Sequence, residues 1–353
     1  MASARAPMKR VRSRLGIAAG AALALWLAAG QEGGRAQQER QVRIAFMGDS
    51  GTGDANQYAV RDQLLRRPPQ LVFLLGDNIY TKGRPALFKS RYDDVYAPVI
   101  ARGTRFHAAL GNHDVYECRA ASYSGPLPPN RDAYRWRDPG CEVDEHLAHG
   151  AFGYVNERRY YAVTSDSSAQ PLAEVFVLDS NTLGIAETRL PPAGVDTAQL
   201  EWLDRTLGVS RARWKIVAMH HPPHTPTASN GLLGLGDGRI REVRLDNQIG
   251  PILRKHGVDV VFTGHNHFYA RMFPQEGIRY FVSGGGGRRI YGYQPQAGYV
   301  AMGGVFLHYV YVRLTDARFE YYTIDSRGRS RDAGWWAKGD ARDHLFPPGT
   351  FPP

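Results

Sequence analysis

The sequence is poor in cysteine and lacks a long apolar run, and each shortage excludes a class of protein. Cys118 and Cys141 are the only cysteines among 353 residues, which argues against a structural zinc cluster built from thiolates. The apolar run Leu15–Ala29 is shorter than the roughly 18 residues that a membrane-spanning helix needs. At 43% hydrophobic residues, the chain can still bury a sizeable core.

The first residues have the pattern of an export signal. Lys9, Arg10, Arg12 and Arg14 precede the apolar run, which ends in the small residues Ala28 and Ala29 before Gly30. This order predicts a secretory signal peptide and leader within residues 1–36. An uncleaved membrane anchor is the alternative. We therefore expect a secreted or periplasmic protein with no stable membrane span after cleavage.

Basic residues are numerous but not clustered. The formal net charge is +10, and residues 1–36 carry six of the basic residues and one acidic residue. The rest of the chain has 38 basic and 33 acidic residues, a net charge of about +5. The bases are scattered rather than grouped with aromatic residues, so we expect no nucleic-acid-binding surface. A mildly positive surface suits a small anionic substrate, and the oligomeric state stays open.

Both cysteines lie in an irregular segment, residues 115–150, which is rich in proline and glycine. In an exported protein the pair is expected to form a disulfide that closes a loop of about 22 residues and adds about 3 kcal/mol of stability. Two free thiols are the alternative. We interpret the segment as an insertion over the active face.

The first part of the chain alternates strands and helices. Leu71–Leu75 is a short apolar run typical of a strand buried on both faces. It lies between two further predicted strands, Val42–Met47 and Arg105–Leu110, with helices predicted at residues 54–66 and 85–97. The order predicts a parallel sheet with right-handed crossovers.

The second part predicts another sheet packed on the first. Strands are predicted at residues 153–163, 173–178, 214–219, 258–262, 268–273, 278–282, 304–314 and 319–324. Asp196 and Gln199 form a plausible capping box for a helix. Residues 331–353 are interpreted as a C-terminal tail.

Polar residues follow five of the predicted strands. Taken singly, each has a structural explanation: Asp49 and Asn112 could form turns, and His220 could bond to backbone. His265 and His267 would point the same way in an extended segment. Since neighbouring strand ends lie about 5 Å apart, the groups are expected to converge on one rim. Such ligands fit two metal ions roughly 3.5 to 4 Å apart that clamp a phosphoryl group and activate a water.

These residues resemble a known family. Five blocks, GDSG at 48–51, GDNIY at 76–80, GNHD at 111–114, VAMH at 217–220 and GHNH at 264–267, resemble those of the calcineurin-like metallophosphoesterases, and most of all the purple, tartrate-resistant acid phosphatases. The resemblance covers about residues 42–290. It implies an α/β fold, a four-layer αββα sandwich of two mixed β-sheets flanked by helices, with the metal site at strand C-terminal ends and the metallophosphoesterase domain at residues 37–330.

The resemblance also implies a binuclear metal centre, Fe(III) with Fe(II), Zn(II) or Mn(II). The ferric site would be held by Asp49, Asp77, Tyr80 and His267. The divalent site would be held by Asp77, Asn112, His220 and His265, with Asp77 bridging. His113 would protonate the leaving group and Asp114 would orient its ring. The candidates for substrate contact are Asn112, His113, His221 and His224, and Gly284–Gly287 would pack closely near the site.

The function expected from this resemblance is an exported phosphatase that hydrolyses phosphate monoesters by attack of a metal-activated hydroxide. A phosphodiesterase or nucleotidase on the same metals is the alternative, and a non-catalytic binding protein with this fold is a different class. The substrate would be a small phosphorylated compound, selected by residues 115–150 and 224–238.

Overall fold

A computed structural model describes residues 1–2, 39–116, 142–183, 195–226, 243–291 and 298–353. Arg40–Pro353 forms one compact unit, and Met1–Glu39 is a separate unit. The predicted signal peptide and both cysteines, with their expected disulfide, lie outside the described residues. Within the described residues, no helix has the length and apolar character needed to cross a membrane.

The described residues contain five α-helices: α1 Ala55–Arg66, α2 Asp94–Ile100, α3 Val143–Ala148, α4 Thr197–Val209 and α5 Val243–Lys255. Shorter helical turns are Pro85–Leu87, Gly150–Phe152, Val155–Glu157 and Ser180–Thr182, and Lys89–Asp93 is a π-helix. Helix α1 begins as predicted, because the side chain of Asp54 accepts from the amides of Asn56 and Gln57.

Fourteen strands occur in the described residues. They are β1 Gln41–Met47, β2 Leu71–Leu74, β3 Arg105–Ala108, β4 Tyr161–Thr164, β5 Ala173–Val177, β6 Trp214–Met219, β7 Val260–Thr263, β8 Tyr269–Met272, β9 Arg279–Ser283, β10 Val300–Gly304, β11 His308–Thr315, β12 Arg318–Asp325, β13 Ser330–Ala337 and β14 His344–Leu345.

The strands form two seven-stranded mixed sheets. The first has the order β14-β13-β12-β11-β1-β2-β3 and the second β10-β8-β9-β7-β6-β5-β4. Parallel pairing joins β1, β2 and β3 in one sheet and β5, β6, β7 and β9 in the other, while the remaining pairs are antiparallel. Strand β2 is buried on both faces, which is why Leu71–Leu74 is wholly apolar.

The two sheets pack face to face with helices outside. Phe46 of β1 stacks on Phe262 of β7, with ring centroids 3.9 Å apart, and Trp214 of β6 meets Phe319 of β12 edge to face at 5.7 Å. Helices α4 and α5 cover the outer face of the second sheet through a separate apolar cluster that includes Leu203. The predicted four-layer αββα sandwich is confirmed.

Two predicted elements have different shapes in the structure. The helix predicted at 85–97 is divided into Pro85–Leu87, the π-helix Lys89–Asp93 and α2. The strand predicted at 153–163 begins only at Tyr161, because Asn156 and Glu157 adopt positive φ angles of 54° and 53°, which an extended strand does not permit.

The sheet also continues past residue 330, where a tail was expected. Strand β13 pairs with β12, and Trp336 stacks on Phe319 with ring centroids 4.1 Å apart. Farther on, Asp343 pairs with Arg271 at 2.9 Å and with Arg279 at 2.6 Å. Apolar burial and these ion pairs hold the segment in the fold despite its glycine and arginine content.

Strand register sets the edge where the polar groups gather. Met47, Leu74 and Ala108 are partners across β1, β2 and β3, so the loops after these strands begin at one level. The two sheets are joined at this edge, since the amide of Gly48 donates to the carbonyl of Ser283 at 2.7 Å.

Candidate metal centre

Seven side chains that the sequence proposed as ligands lie together at the carboxyl edge of the parallel strands. They come from the loops after β1 (Asp49), β2 (Asp77, Tyr80), β3 (Asn112), β6 (His220) and β7 (His265, His267). All are buried or half-buried, and they form two adjoining clusters.

The first cluster contains Asp49, Tyr80, His267 and Asp77. The hydroxyl of Tyr80 donates to Asp49 Oδ1 at 3.0 Å and lies 3.1 Å from His267 Nε2. His267 Nε2 is 3.3 Å from Asp49 Oδ1. Ligand atoms of Asp49, Asp77 and His267 all lie within 4.8 Å of one another. Two carboxylates, a phenol and an imidazole thus meet at one point.

The second cluster contains Asn112, His220 and His265. Asn112 Oδ1 lies 2.8 Å from His220 Nε2 and 3.2 Å from His265 Nδ1, and the two ring nitrogens are 3.3 Å apart. Asp77 Oδ1 is 3.4 Å from His220 Nε2. Asp77 therefore borders both clusters, which is the placement a bridging carboxylate needs.

Backbone carbonyls orient two of the imidazoles. Nδ1 of His220 donates to the carbonyl of Leu75 at 2.8 Å, and Nδ1 of His267 donates to the carbonyl of Arg289 at 2.9 Å. A carbonyl only accepts, so the proton is on Nδ1 and the lone pair of Nε2 points into the cluster. Metal-ligating histidines are commonly fixed in this way.

Burial and charge set the protonation of the site. Burial opposes ionisation of Asp77, but the neighbouring imidazoles of His220 and His113, with hydrogen bonds from the His113 amide and the Tyr80 hydroxyl, outweigh it and lower the pKa of Asp77. Burial lowers the pKa of His220. Burial, followed by the charges of Asp49 and Asp77, raises the pKa of Tyr80 well above its ordinary value. Asp77 is thus a carboxylate and His220 a neutral imidazole, both in the form that binds a cation.

The backbone around the clusters is strained and tightly packed. Asp49, Asp77 and His265 have positive φ angles of 62°, 54° and 67°, and such strain concentrates at functional sites. A β-carbon on Gly284 would lie 2.1 Å from the carbonyl oxygen of Asn266 and 2.8 Å from Asp49 Oδ2. The close packing expected of Gly284–Gly287 is present.

The positive φ of His265 corrects one expectation. The segment is not extended, so His265 and His267 do not point the same way. The ring of His265 faces the second cluster and that of His267 faces the first.

His113 lies beside the bridging position. Its amide donates to Asp77 Oδ1 at 2.9 Å, and its Nε2 is 4.0 Å from Asp77 Oδ2. The other ring nitrogen, Nδ1, bonds to the carbonyl of Thr81, so Nδ1 carries the proton there. The side chain is 24% exposed, which leaves Nε2 within reach of a bound molecule.

Asp114 does not orient the ring of His113, contrary to the expectation. Its carboxylate is buried and accepts from the amides of Asn78 and Ile79, at 2.9 and 3.0 Å, and of Gly111, at 2.9 Å. It therefore holds the loop that carries Asp77 against the loop that carries Asn112. Thr81 supplies the contact that was assigned to Asp114.

Neither His221 nor His224 has the open position expected of a substrate contact. His224 is bonded through both ring nitrogens, to the Tyr299 hydroxyl at 2.6 Å and to Asp246 Oδ1 at 3.1 Å. His221 is 2% exposed and bonds to Ser180 Oγ through Nδ1 at 2.8 Å. Its Nε2 has no partner among the described residues, and it groups with His220 and His265 within 4.8 Å.

Sequence reasoning missed three residues near the site. Asn78 was given no role of its own, but its Nδ2 donates to the carbonyl of Ala109 at 2.7 Å and to Asp114 Oδ2 at 2.9 Å. Arg288 and Arg289 directly follow Gly284–Gly287, and this position after a glycine run expected near the site could have indicated that they lie beside it. Both line a groove that opens beside His267.

The chain matches known proteins in sequence and in fold. A family model for calcineurin-like phosphoesterases matches residues 42–269. Tartrate-resistant acid phosphatase type 5 from Mus musculus is 23% identical over 227 residues, which is 61% of this chain. The match spans 60% of that relative's length, less than two thirds.

Two solved structures share the fold. A purple acid phosphatase from yellow lupin (Lupinus luteus) seeds has a TM-score of 0.62 and 16% identity, and the match covers 85% of this chain and 54% of that one. The anchor protein in the inner membrane complex of Plasmodium has a TM-score of 0.61 and 15% identity, with 85% and 90% covered. At these identities the likeness concerns the fold alone.

Proposed function

The chain belongs to the calcineurin-like phosphoesterase family, and on that premise we propose that it is a binuclear-metal phosphatase of the purple acid phosphatase type, acting on phosphate monoesters. The observation that carries the proposal is the meeting of two ligand clusters at Asp77, whose carboxylate lies 3.4 Å from His220 Nε2 and groups with Asp49 and His267.

The donor set fits two different ions. Asp49, Asp77, Tyr80 and His267 would hold Fe(III), because phenolate and carboxylate oxygens suit a hard trivalent ion. Asp77, Asn112, His220 and His265 would hold a divalent ion, Fe(II), Zn(II) or Mn(II). When bound, the ions supply Lewis acidity for phosphoryl oxygens and acidify a water. The buried Nε2 of His221, which has no hydrogen-bond partner in the described part of the chain, would be a further donor to the second ion.

His113 is assigned as the proton donor to the leaving group. The carbonyl of Thr81 fixes the proton on Nδ1, so Nε2 is the atom that exchanges a proton with the substrate. Nε2 lies 4.0 Å from Oδ2 of Asp77, so it faces the position where the two ligand clusters meet. The partial exposure of the ring allows contact with a substrate that enters from solvent.

Export is part of the proposal and rests on the amino-terminal sequence pattern. The amino-terminal residue of the mature protein, identified by mass spectrometry of the fraction outside the cytoplasm, tests it. A protein that keeps residues 1–36 and stays in the cytoplasm would contradict export without touching the assignment of the metal centre.

A substrate panel combined with metal analysis tests the activity. The protein is loaded with iron and zinc, and hydrolysis is measured on phenyl phosphate, bis(p-nitrophenyl) phosphate and a nucleoside monophosphate. We expect about two ions per chain and the highest kcat/KM on the monoester. A preference for the diester or the nucleotide would favour the alternative activity on the same centre. Two bound ions without turnover on any compound would indicate a binding protein.

A further inference from the structure

A groove opens directly beside the first ligand cluster. It has a volume of about 590 Å³ and is lined by His267, Arg288, Arg289, Ile290 and Tyr291. Its inner wall is the ring of His267, whose Nε2 faces Tyr80 and Asp49. A molecule with its phosphoryl group at the centre can therefore extend into the groove.

Both arginines are anchored to residues of the metal centre. The amide of Arg288 donates to the carbonyl of Asp49 at 2.8 Å, and its guanidinium carbon lies 4.6 Å from the ring centroid of Tyr80. The carbonyl of Arg289 accepts from Nδ1 of His267 at 2.9 Å. The backbone of the pair is thus held at a fixed position beside the two clusters.

The charges of the pair are not compensated within the described parts of the chain. There, neither guanidinium forms an ion pair with a carboxylate, whereas Arg271 and Arg279 of the neighbouring strands each have one. The two positively charged guanidinium groups would repel the two metal ions bound beside them. An anion that reaches beyond the metals would relieve the repulsion.

Guanidinium groups bind phosphate oxygens in pairs of parallel hydrogen bonds. The reacting phosphoryl group would be held at the ligand clusters, so the arginines are available to a second anionic group of the same molecule. The exposed ring of Tyr291, 5.0 Å from the ring of His267, also lines the groove.

We propose that Arg288 and Arg289 form a subsite for the second phosphate of a diphosphate substrate, an inference that rests on the proposed phosphatase function. Water loses a proton and adds to the reacting phosphorus, the bond from that phosphorus to the bridging oxygen breaks with its electron pair on the oxygen, and the second phosphate leaves with this oxygen, which takes a proton from His113. The arginines hold that leaving phosphate and its charge.

The test compares inorganic pyrophosphate with phenyl phosphate in wild type and in Arg289→Gln, a change at an exposed side chain. Loss of a charge-assisted pair should lower kcat/KM for pyrophosphate by about 10-fold or more and for phenyl phosphate by less than about 2-fold. Arg105→Gln is the matched control, because Arg105 is exposed at the amino-terminal end of β3, away from the centre.

Equal losses on both substrates, or no loss on either, would overturn the subsite while leaving the phosphatase intact. If the wild type hydrolyses neither compound, the proposed function fails. Calorimetric measurement of pyrophosphate binding to the metal-loaded protein then tests the subsite by itself. Binding about 10-fold weaker in Arg289→Gln than in wild type supports the subsite, and equal binding refutes it.

Discussion

The hydroxyl of Tyr80 donates a hydrogen bond to Asp49 Oδ1 at 3.0 Å, which links the loops after two neighbouring strands. The phenol is buried, and burial raises its pKa, with Asp49 and Asp77 adding to the effect. The phenol therefore keeps its proton until a cation lies close enough to replace it. Burial and the neighbouring carboxylates disfavour a free phenolate at Tyr80, but they also hold its oxygen where a trivalent ion could bind it.

Tyr80→Phe removes only this oxygen. Because the ring remains packed, we expect the fold to survive while the ferric ion binds more weakly. A phenolate bound to Fe(III) gives a visible charge-transfer band, so the oxidised wild type should be violet and the mutant colourless. Absorption spectra with iron analysis check this. A colourless wild type with full iron occupancy would show that Tyr80 is not a ligand.

His113→Ala should leave the metals in place and slow turnover by about 10²- to 10⁴-fold, the usual effect of losing a general acid. The loss should be smaller for substrates with good leaving groups, which need less protonation. Metal content and kcat on a series of aryl phosphates provide the measurement. Depletion of metal in the variant would make His113 a ligand instead.

Asp114→Asn should destabilise the fold. The buried carboxylate accepts from the amides of Gly111, Asn78 and Ile79. In Asp114→Asn the NH₂ group of the side chain would replace one accepting oxygen and would face backbone N–H groups, which also donate. We expect a loss of about 2 to 4 kcal/mol in the free energy of unfolding, measured by urea denaturation. Unchanged stability, with a shifted pH profile of kcat, would instead restore Asp114 as the residue that orients His113.

A pH effect on stability is expected from His146. Burial lowers its pKa to about 4, and Nε2 bonds to the carbonyl of Gly83 at 2.6 Å. Between pH 6.5 and pH 4 the unfolded chain binds the proton that the folded chain rejects, so stability is complete above pH 6.5 and falls as the pH drops. The loss from this group between pH 7 and pH 5 is about 2 kcal/mol.

Urea denaturation of His146→Gln at the two pH values isolates this contribution, since glutamine cannot be protonated. The difference in unfolding free energy between pH 7 and pH 5 should shrink by about 2 kcal/mol relative to wild type. An identical pH dependence in both proteins would show that His146 is not the group that takes up the proton.

The sequence predicted the positions of the ligands because those positions depend on short-range patterns. An apolar strand followed by a glycine and a polar residue predicts a strand end, and parallel pairing brings such ends together. This pattern placed Asp49, Asp77 and Asn112 at strand ends, whereas their assignment as ligands came from the family resemblance. The strands themselves were found wherever they are buried on both faces.

What the sequence did not predict depends on contacts between distant residues. Asp114 was paired with its neighbour His113, but its carboxylate bonds to amides of the loop that contains Asn78 and Ile79. Asp196 caps α4 as predicted, because its side chain accepts from the amide of Gln199 at 3.2 Å. The Gln199 side chain does not complete the box, since its Oε1 accepts from the amide of Asp179 at 2.8 Å. Strand β13 was missed because its place depends on pairing with β12 and on packing of Trp336 on Phe319, contacts with residues distant from the glycine- and arginine-rich local sequence.

The central claim is that Asp77 bridges two metal ions used in phosphate ester hydrolysis. The most direct test is metal content and phenyl phosphate turnover of Asp77→Ala, with Asp62→Ala, a change at an exposed carboxylate of α1, as the matched control. We predict that Asp77→Ala loses bound metal and at least about 10³-fold in turnover, while the control keeps both. Two ions per chain and normal turnover in Asp77→Ala would contradict the account.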